Sequence, residues 1–249
     1  GPLLAVRGEA RVSRPGGCAF GPRPVDLHEQ GMRALGAEVD EEHGYIVARA
    51  PRGGLRGGRF RFEPVSVGAT CNVLMAAVLA RGESQLENCA TEPEVTQLGE
   101  ALVAAGARIE GLGTRTLLVE GVDALAPLAC RVIPDRIEAG TYLAAAAVAG
   151  GRVGVRGCRL DDMAPIVSVL RDLGCDVHEE GPADGDGAVL VCERRGALQP
   201  VRVETQPFPG FPTDMQAQIM AAAALADGVS FITDTIYPDR FTHVAELQR

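Results

Sequence analysis

Lysine is absent from the 249 residues, so all 24 of the Lys-plus-Arg side chains are arginine. That excludes a Walker-type phosphate-binding lysine and a Schiff-base lysine within this chain. Anionic ligands must then be met by guanidinium groups and backbone amides, which suit phosphate and carboxylate. Aromatic residues make up only 4% and the formal net charge is −9. Both argue against nucleic acid as a partner, which calls for positive charge and aromatic faces to stack on. No run of eighteen apolar residues occurs, and the richest stretch, 142–150, is far too short to span a bilayer. No signal peptide is visible, so no membrane partner is expected. The cysteines (Cys18, Cys71, Cys89, Cys130, Cys158, Cys175 and Cys192) form no Cys-x-x-Cys pair. Their odd number favours reduced thiols in the cytoplasm over a disulfide framework or a zinc site. The histidines are scattered, and no metal site is expected.

What is present is a repeat. A helix closed by glycine and followed by a strand is read over 27–39, 95–109 and 166–177, with Gly36, Gly106 and Gly174 at the helix ends. An alanine-rich helix follows each time, over 66–80, 136–150 and 212–226, closed near Gly82, Gly151 and Gly228. Short β-branched runs lie between them at 45–48, 116–119 and 188–191, and after them at 84–89, 152–157 and 229–237. Each unit thus reads helix, strand, strand, helix, strand, at a period of roughly 70 residues, longer than the usual solenoid classes. The alanine-rich helices are apolar nearly all round, which predicts that helices form the core with the sheets outside. The first residue is not methionine, and 243–249 starts what reads as a fourth first helix, so part of a longer polypeptide is expected.

Cys18 stands apart by its setting. Residues 15–24 contain three glycines and three prolines, which excludes regular helix or strand and predicts an exposed loop. The thiol precedes Arg23 by five positions and Asp26 by eight. A nearby cation favours thiolate and suits acid–base or nucleophilic work, whereas a cysteine in general is more often a small buried hydrophobe. The other six cysteines are assigned to helices, strands or their ends and are expected to react slowly.

Five motifs in order resemble the UDP-N-acetylglucosamine enolpyruvyl transferase family of the EPSP synthase superfamily. They are PGGCAFGPRPVDLH (15–28), SVGAT (66–70), EPEV (92–95), PDRIEAGT (134–141) and FPTDMQAQ (211–218), with ITDTIYPDRFTHVAEL (232–247) extending the match. The resemblance implies an α/β fold, a two-domain inside-out barrel of six βαβαββ-type units, of which this chain holds about three and a half. It places 1–133 in the catalytic-loop and sugar-nucleotide domain and 134–249 in the second domain. It implies transfer of the enolpyruvyl group of phosphoenolpyruvate to the 3′-hydroxyl of UDP-N-acetylglucosamine with release of phosphate, without metal or organic cofactor, at the start of peptidoglycan synthesis.

On the same pattern Cys18 is the acid toward phosphoenolpyruvate and the thiol that fosfomycin alkylates. Arg23 binds phosphate and sugar nucleotide, and Pro24, Val25, Asp26 and Leu27 form the uridine-contacting segment. Ser66, Val67 and Gly68 offer a helix start to the diphosphate. Asp214 contacts the sugar hydroxyl as base, and Ile236 lines the sugar site. Each has a plainer reading: Ser66 and Asp214 stand where helix N-caps stand. Arg136 and Glu92 are read as holding inter-domain or loop geometry, and the acidic runs 40–42 and 161–162 as solvated turns. The family's phosphate-binding lysine with its asparagine neighbour and a further sugar-nucleotide arginine map before residue 1, and a late phosphate-binding arginine maps beyond residue 249. Pro64 stands where a basic residue is common, and Thr91 where an arginine is usual. Two rivals stay open: a different acceptor such as shikimate 3-phosphate, and a non-catalytic truncated or diverged paralogue.

Overall fold

Gly36, Gly106 and Gly174 have φ angles of 86°, 104° and 92°, the left-handed geometry that stops a helix without a Cβ clash. They close three helices in a computed structural model that describes residues 1–16, 24–181 and 188–249. The chain falls into two compact units, Gly1–Val132 and Ile133–Arg249.

The first unit runs α1 (Pro2–Arg7), β1 (Glu9–Ser13), α2 (Asp26–Ala34), β2 (Glu38–Glu42), β3 (Tyr45–Arg49), β4 (Arg59–Arg61), α3 (Val67–Ala77), β5 (Glu83–Glu87), α4 (Pro93–Ala104), β6 (Arg108–Glu110) and β7 (Thr116–Glu120). The second runs α5 (Arg136–Ala149), β8 (Gly151–Arg156), α6 (Leu160–Asp172), β9 (Asp176–Glu180), β10 (Val189–Arg194), β11 (Arg202–Glu204), a 3-10 turn (Thr213–Met215), α7 (Gln216–Ala223), β12 (Phe231–Thr233) and α8 (Val244–Leu247). The expected helices and strands are all present, most with shifted ends. The helix expected over 212–226 is a 3-10 turn followed by a shorter α-helix, and the strand expected over 229–237 is three residues long before the chain turns at Asp234. The sequence reading did not include α1, β1, β4 or β11.

The sheets join what the repeat separates. In the first unit β1 and β2 flank β3, both antiparallel, so Ala10, Ala48 and Val39 form one inward row. A second sheet has the order β4-β5-β7-β6, with Phe60, Leu86 and Leu117 aligned. In the second unit β8 and β9 flank β10, aligning Val153, Cys192 and Val177, while β11 and β12 pair in parallel. The strands after the first two alanine-rich helices, β5 and β8, therefore pair with the hairpin of the following repeat, and β1 pairs with the hairpin of the first repeat. Alternation along β7 leaves Leu117 and Val119 buried and Thr116, Leu118 and Glu120 outside. Outer faces carry cross-strand pairs such as Arg59–Glu87, Arg108–Glu120 and Arg152–Glu180.

Helices fill the inside of each unit, as the composition predicts. From Ala69 onward α3 has no exposed residue, since α1, α2 and α4 all pack on it. Its approach to α2 depends on Gly31, where a Cβ would lie 2.3 Å from Val73 Cγ2. Helix α5 departs from the expectation. It buries Ala139, Gly140, Leu143, Ala144, Ala146 and Ala147 against α6, α7 and its sheet, but Tyr142 and Val148 stay exposed at 57% and 39%. Its remaining face has no helix of the second unit on it among the described residues. Each unit has its own core, around Leu35, Phe62, Leu74 and Leu86 in the first and Leu143, Met163, Ile166 and Leu170 in the second. No helix among the described residues is long and apolar enough to cross a membrane.

Candidate functional site

Cys18 and Arg23 lie outside the described residues. The other sequence-assigned residues gather in two places, one in each unit.

In the first unit the starts of α2 and α3 lie side by side. Val25 occupies the N-cap of α2, Asp26 opens its first turn toward solvent, and Pro24 is exposed. Leu27 is a core residue, so only its main chain is free to meet a ligand. Ser66 does cap α3, its hydroxyl accepting from the Ala69 amide at 3.3 Å. Thr70 anchors the same turn by donating to the Ser66 carbonyl at 2.7 Å and accepting from the Ala90 amide at 3.1 Å. Val67 and Gly68 are exposed in the first turn, where helix amides have no intrahelical acceptor. The imidazole of His28 lies against Gly68, 3.5 Å from where a Cβ would stand. Its Nδ1 is 3.1 Å from Asn72 Nδ2, an amide donor, so Nδ1 accepts and the neutral ring carries its proton on Nε2. Burial pushes the His28 pKa down, favouring the neutral ring. The structure thus sets His28, which directly follows 24–27, against the start of α3. The sequence reading did not single out His28, although it stands at the end of the first motif.

In the second unit the carboxylate of Asp214 makes no helix-capping bond, either to the 3-10 turn or to α7. The N-cap reading is therefore replaced: Asp214 Oδ1 is 2.7 Å from Arg240 Nη2, and Asp214 stays about half exposed. Arg240 Nη1 donates to the Thr213 hydroxyl at 3.1 Å, and the Arg240 carbonyl accepts from buried Gln216 Nε2 at 3.1 Å. The Thr213 hydroxyl donates to Asp234 Oδ2 at 2.6 Å. Asp234 is buried, and its Oδ1 accepts from Thr205 Oγ1 at 2.9 Å and from the amides of Ile236 at 2.9 Å and Tyr237 at 2.8 Å. Burial opposes the charge of Asp234, but the bonds from Thr213, Tyr237, Thr205 and Ile236 outweigh it and hold the carboxyl below its ordinary value of 3.8. Ile236 and Asp214 are thereby tied into one network. Arg240, Thr213 and Asp234 were not assigned from sequence. The available signal was the order Asp-Thr-Ile-Tyr after a strand, the setting of an aspartate that bonds amides two and three residues on.

The remaining cysteines divide. Burial pushes Cys71 up to about 11 and Cys89 to about 12 and raises Cys158, while the hydrogen bond with the Cys175 thiol, helped by burial, raises Cys192. Cys130 departs from the expected placement, being exposed in an irregular segment after β7. Arg136 sits over the Phe208 ring at 5.6 Å, and Glu92 is buried at the N-cap of α4. Among the described residues no three His, Cys, Asp or Glu side chains converge as a metal site.

The family model described as EPSP synthase (3-phosphoshikimate 1-carboxyvinyltransferase) matches residues 1–249. The chain belongs to this family. A protein of Novosphingobium aromaticivorans named UDP-N-acetylglucosamine 1-carboxyvinyltransferase is 54% identical over 249 residues, covering 100% of this chain and 57% of that relative. One of the same name from Anaeromyxobacter sp. strain Fw109-5 is 55% identical, covering 100% and 58%. The chain thus spans less than two thirds of these relatives' length. Among solved structures, the enolpyruvyl transferase NikO from Streptomyces tendae superposes with a TM-score of 0.83 at 22% identity, over 99% of this chain and 57% of that one. An EPSP synthase from Acinetobacter baumannii gives 0.64 at 20% identity, over 98% and 56%. These likenesses establish the enolpyruvyl transferase fold.

Proposed function

We propose that this chain is the central part of an enzyme that transfers the enolpyruvyl group of phosphoenolpyruvate to the 3′-hydroxyl of UDP-N-acetylglucosamine. The observation that carries the reading is end-to-end identity above one half to proteins named for that reaction. The first unit is the sugar-nucleotide and catalytic-loop domain. Arg23, the main chain of 24–27 and the α3 start at Ser66, Val67 and Gly68 bind uridine and diphosphate. The paired helix starts suit this, because first-turn amides and aligned peptide dipoles favour anions. The second unit supplies Asp214 and Ile236.

The chemistry takes its roles from the family resemblance. Asp214 takes the proton of the 3′-hydroxyl as its oxygen bonds to C2 of phosphoenolpyruvate. The electron pair of the C2–C3 double bond takes a proton from the Cys18 thiol, giving a tetrahedral ketal. Return of a C3 proton to the Cys18 thiolate then restores the double bond and expels phosphate, which leaves with the proton held by Asp214. The reaction opens peptidoglycan synthesis and belongs in the cytoplasm, and fosfomycin is the expected covalent inhibitor through Cys18.

The test is phosphate release from phosphoenolpyruvate by the complete polypeptide, expected only when UDP-N-acetylglucosamine is supplied. Release that depends instead on shikimate 3-phosphate overturns the acceptor. Peptide mapping after fosfomycin is expected to place the adduct on Cys18; an adduct on exposed Cys130 alone overturns the assignment of the acid.

A further inference from the structure

Asp214 is a carboxylate on a single 3-10 turn, about half exposed and bonded to no helix amide. A side chain so placed samples several rotamers unless something holds it, and a base must hold one position relative to the proton it takes. Arg240 holds it at 2.7 Å, so the question becomes what holds Arg240. One anchor is its own carbonyl, bonded to Gln216. Another is the face of the Tyr237 ring, 5.8 Å from the guanidinium, and a further one is the Thr213 hydroxyl, which has a single proton. That proton goes to Asp234 Oδ2 at 2.6 Å, leaving the Thr213 lone pairs toward Arg240 Nη1.

We infer that Asp234 is a positioning residue that acts on Asp214 through Thr213 and Arg240. The inference rests on the proposed role of Asp214 as base. The two oxygens of Asp234 divide the work. Oδ1 takes the Thr205 hydroxyl and the Ile236 and Tyr237 amides, and so shapes the turn after β12. Oδ2 takes only the Thr213 proton among the bonds recorded for it, and so orients the link to Arg240. Charge alternates along the chain of contacts, from the Asp234 carboxylate through the Arg240 guanidinium to the Asp214 carboxylate. An asparagine at 234 keeps the oxygen that shapes the turn. It presents an amide donor to Thr213, which then competes with Arg240 for the same lone pairs. The fold is preserved while the link is reversed.

The experiment uses the complete polypeptide and measures kcat, the KM for each substrate and the melting temperature. Asp234→Asn and Thr213→Val are each made in the parent and in an Asp214→Asn background. In the parent each is expected to lower kcat about 100-fold, the size of effect that follows from misplacing a catalytic group by about 1 Å. The KM for phosphoenolpyruvate should hold, and Thr213→Ser, which keeps the hydroxyl, should recover most of the loss. In the Asp214→Asn background neither change should lower kcat further, because the group they position is gone. Equal losses in both backgrounds overturn the inference in favour of a purely structural role, and parental kcat in Thr213→Val overturns it outright. If Asp234→Asn fails to fold, the Thr213→Val pair decides alone. Parental turnover in Asp214→Asn itself overturns the base assignment, an outcome distinct from a slow Asp214→Asn with an indifferent Thr213→Val.

Discussion

The two units place the same kind of alanine-rich helix at their centres and treat it differently. Helix α3 is enclosed by three neighbouring helices, and past its first two residues every residue is buried or half-buried. Helix α5 is longer and richer in alanine, yet Tyr142 and Val148 stand in water. Composition states only that a helix can be buried all round; the number of neighbours decides whether it is. The polar clusters differ in the same way. Ser66 in the first unit caps a helix, so it has a structural job whatever it binds. Asp214 in the second caps nothing and faces an arginine.

That contrast breaks or holds under substitution, and Asp214 carries the largest expected effect. Asp214→Asn should cut turnover of the complete polypeptide by about two to four orders of magnitude, the usual range for losing a general base. Its melting temperature should stay at the parental value because no cap is lost. A fall in melting temperature matching that of Ser66→Ala would erase the difference between the clusters.

Next come the central helices. Leu74→Ala on α3 empties a fully buried site and should cost about 2–5 kcal/mol. Val148→Ala on the open stripe of α5 should stay within about 0.5 kcal/mol in the 249-residue chain. Denaturant titration of both checks this, and equal losses would show that α5 is covered in solution.

Ser66→Ala should cost about 1 kcal/mol through the lost cap bond to Ala69. Native-state hydrogen exchange should confine the loss to residues of the first unit, and spread into the second would contradict the separate cores.

The smallest effects concern pH, where two histidines respond in opposite directions. Burial lowers the pKa of His28 in the first unit, so the unfolded chain binds that proton more tightly. Its contribution to stability is present above pH 6.5 and is lost as pH falls below it. Hydrogen bonds to Glu180 and Asp176 raise the pKa of half-buried His178 in the second unit. Its contribution is complete below pH 6.5 and is lost as pH rises through the folded value. NMR titration of the ring protons should place the two midpoints on opposite sides of 6.5. Midpoints on the same side would end the contrast.

Much of this was legible in the residues. The glycines at 36, 106 and 174 mark helix ends because no other residue takes positive φ so readily, and each does take it. The alanine-rich stretches mark inner helices, and the motif string names the family. Strands β4 and β11 were not legible: Arg59-Phe60-Arg61 and Arg202-Val203-Glu204 each set one apolar residue between two charges. Three residues are too few for an alternation to show. The link from Asp234 to Asp214 was hidden for another reason. Its members lie at 205, 213, 234 and 240, and only the meeting of the β11 and β12 ends with the 3-10 turn makes them neighbours. Short-range patterns report periodicity, whereas a polar network is a property of how segments meet.

The way the sheets are shared between repeats sets a timetable for synthesis. Leu86 of β5 leaves the ribosome before its partner Leu117 exists, as Ala10 does before Ala48 and Val153 before Cys192. At ordinary elongation rates each early strand waits about 2–8 s with one edge open to other nascent chains. Charges bracket the apolar residues through that interval: Glu83 and Glu87 on β5, Glu9 and Arg11 on β1, Arg152 and Arg156 on β8. Charged side chains of this kind discourage edge-to-edge association. Two later settle into outer-face pairs, Glu9 with Arg49 and Arg152 with Glu180, where exposed pairs add little to stability. Their larger value lies in the seconds before their partners are made.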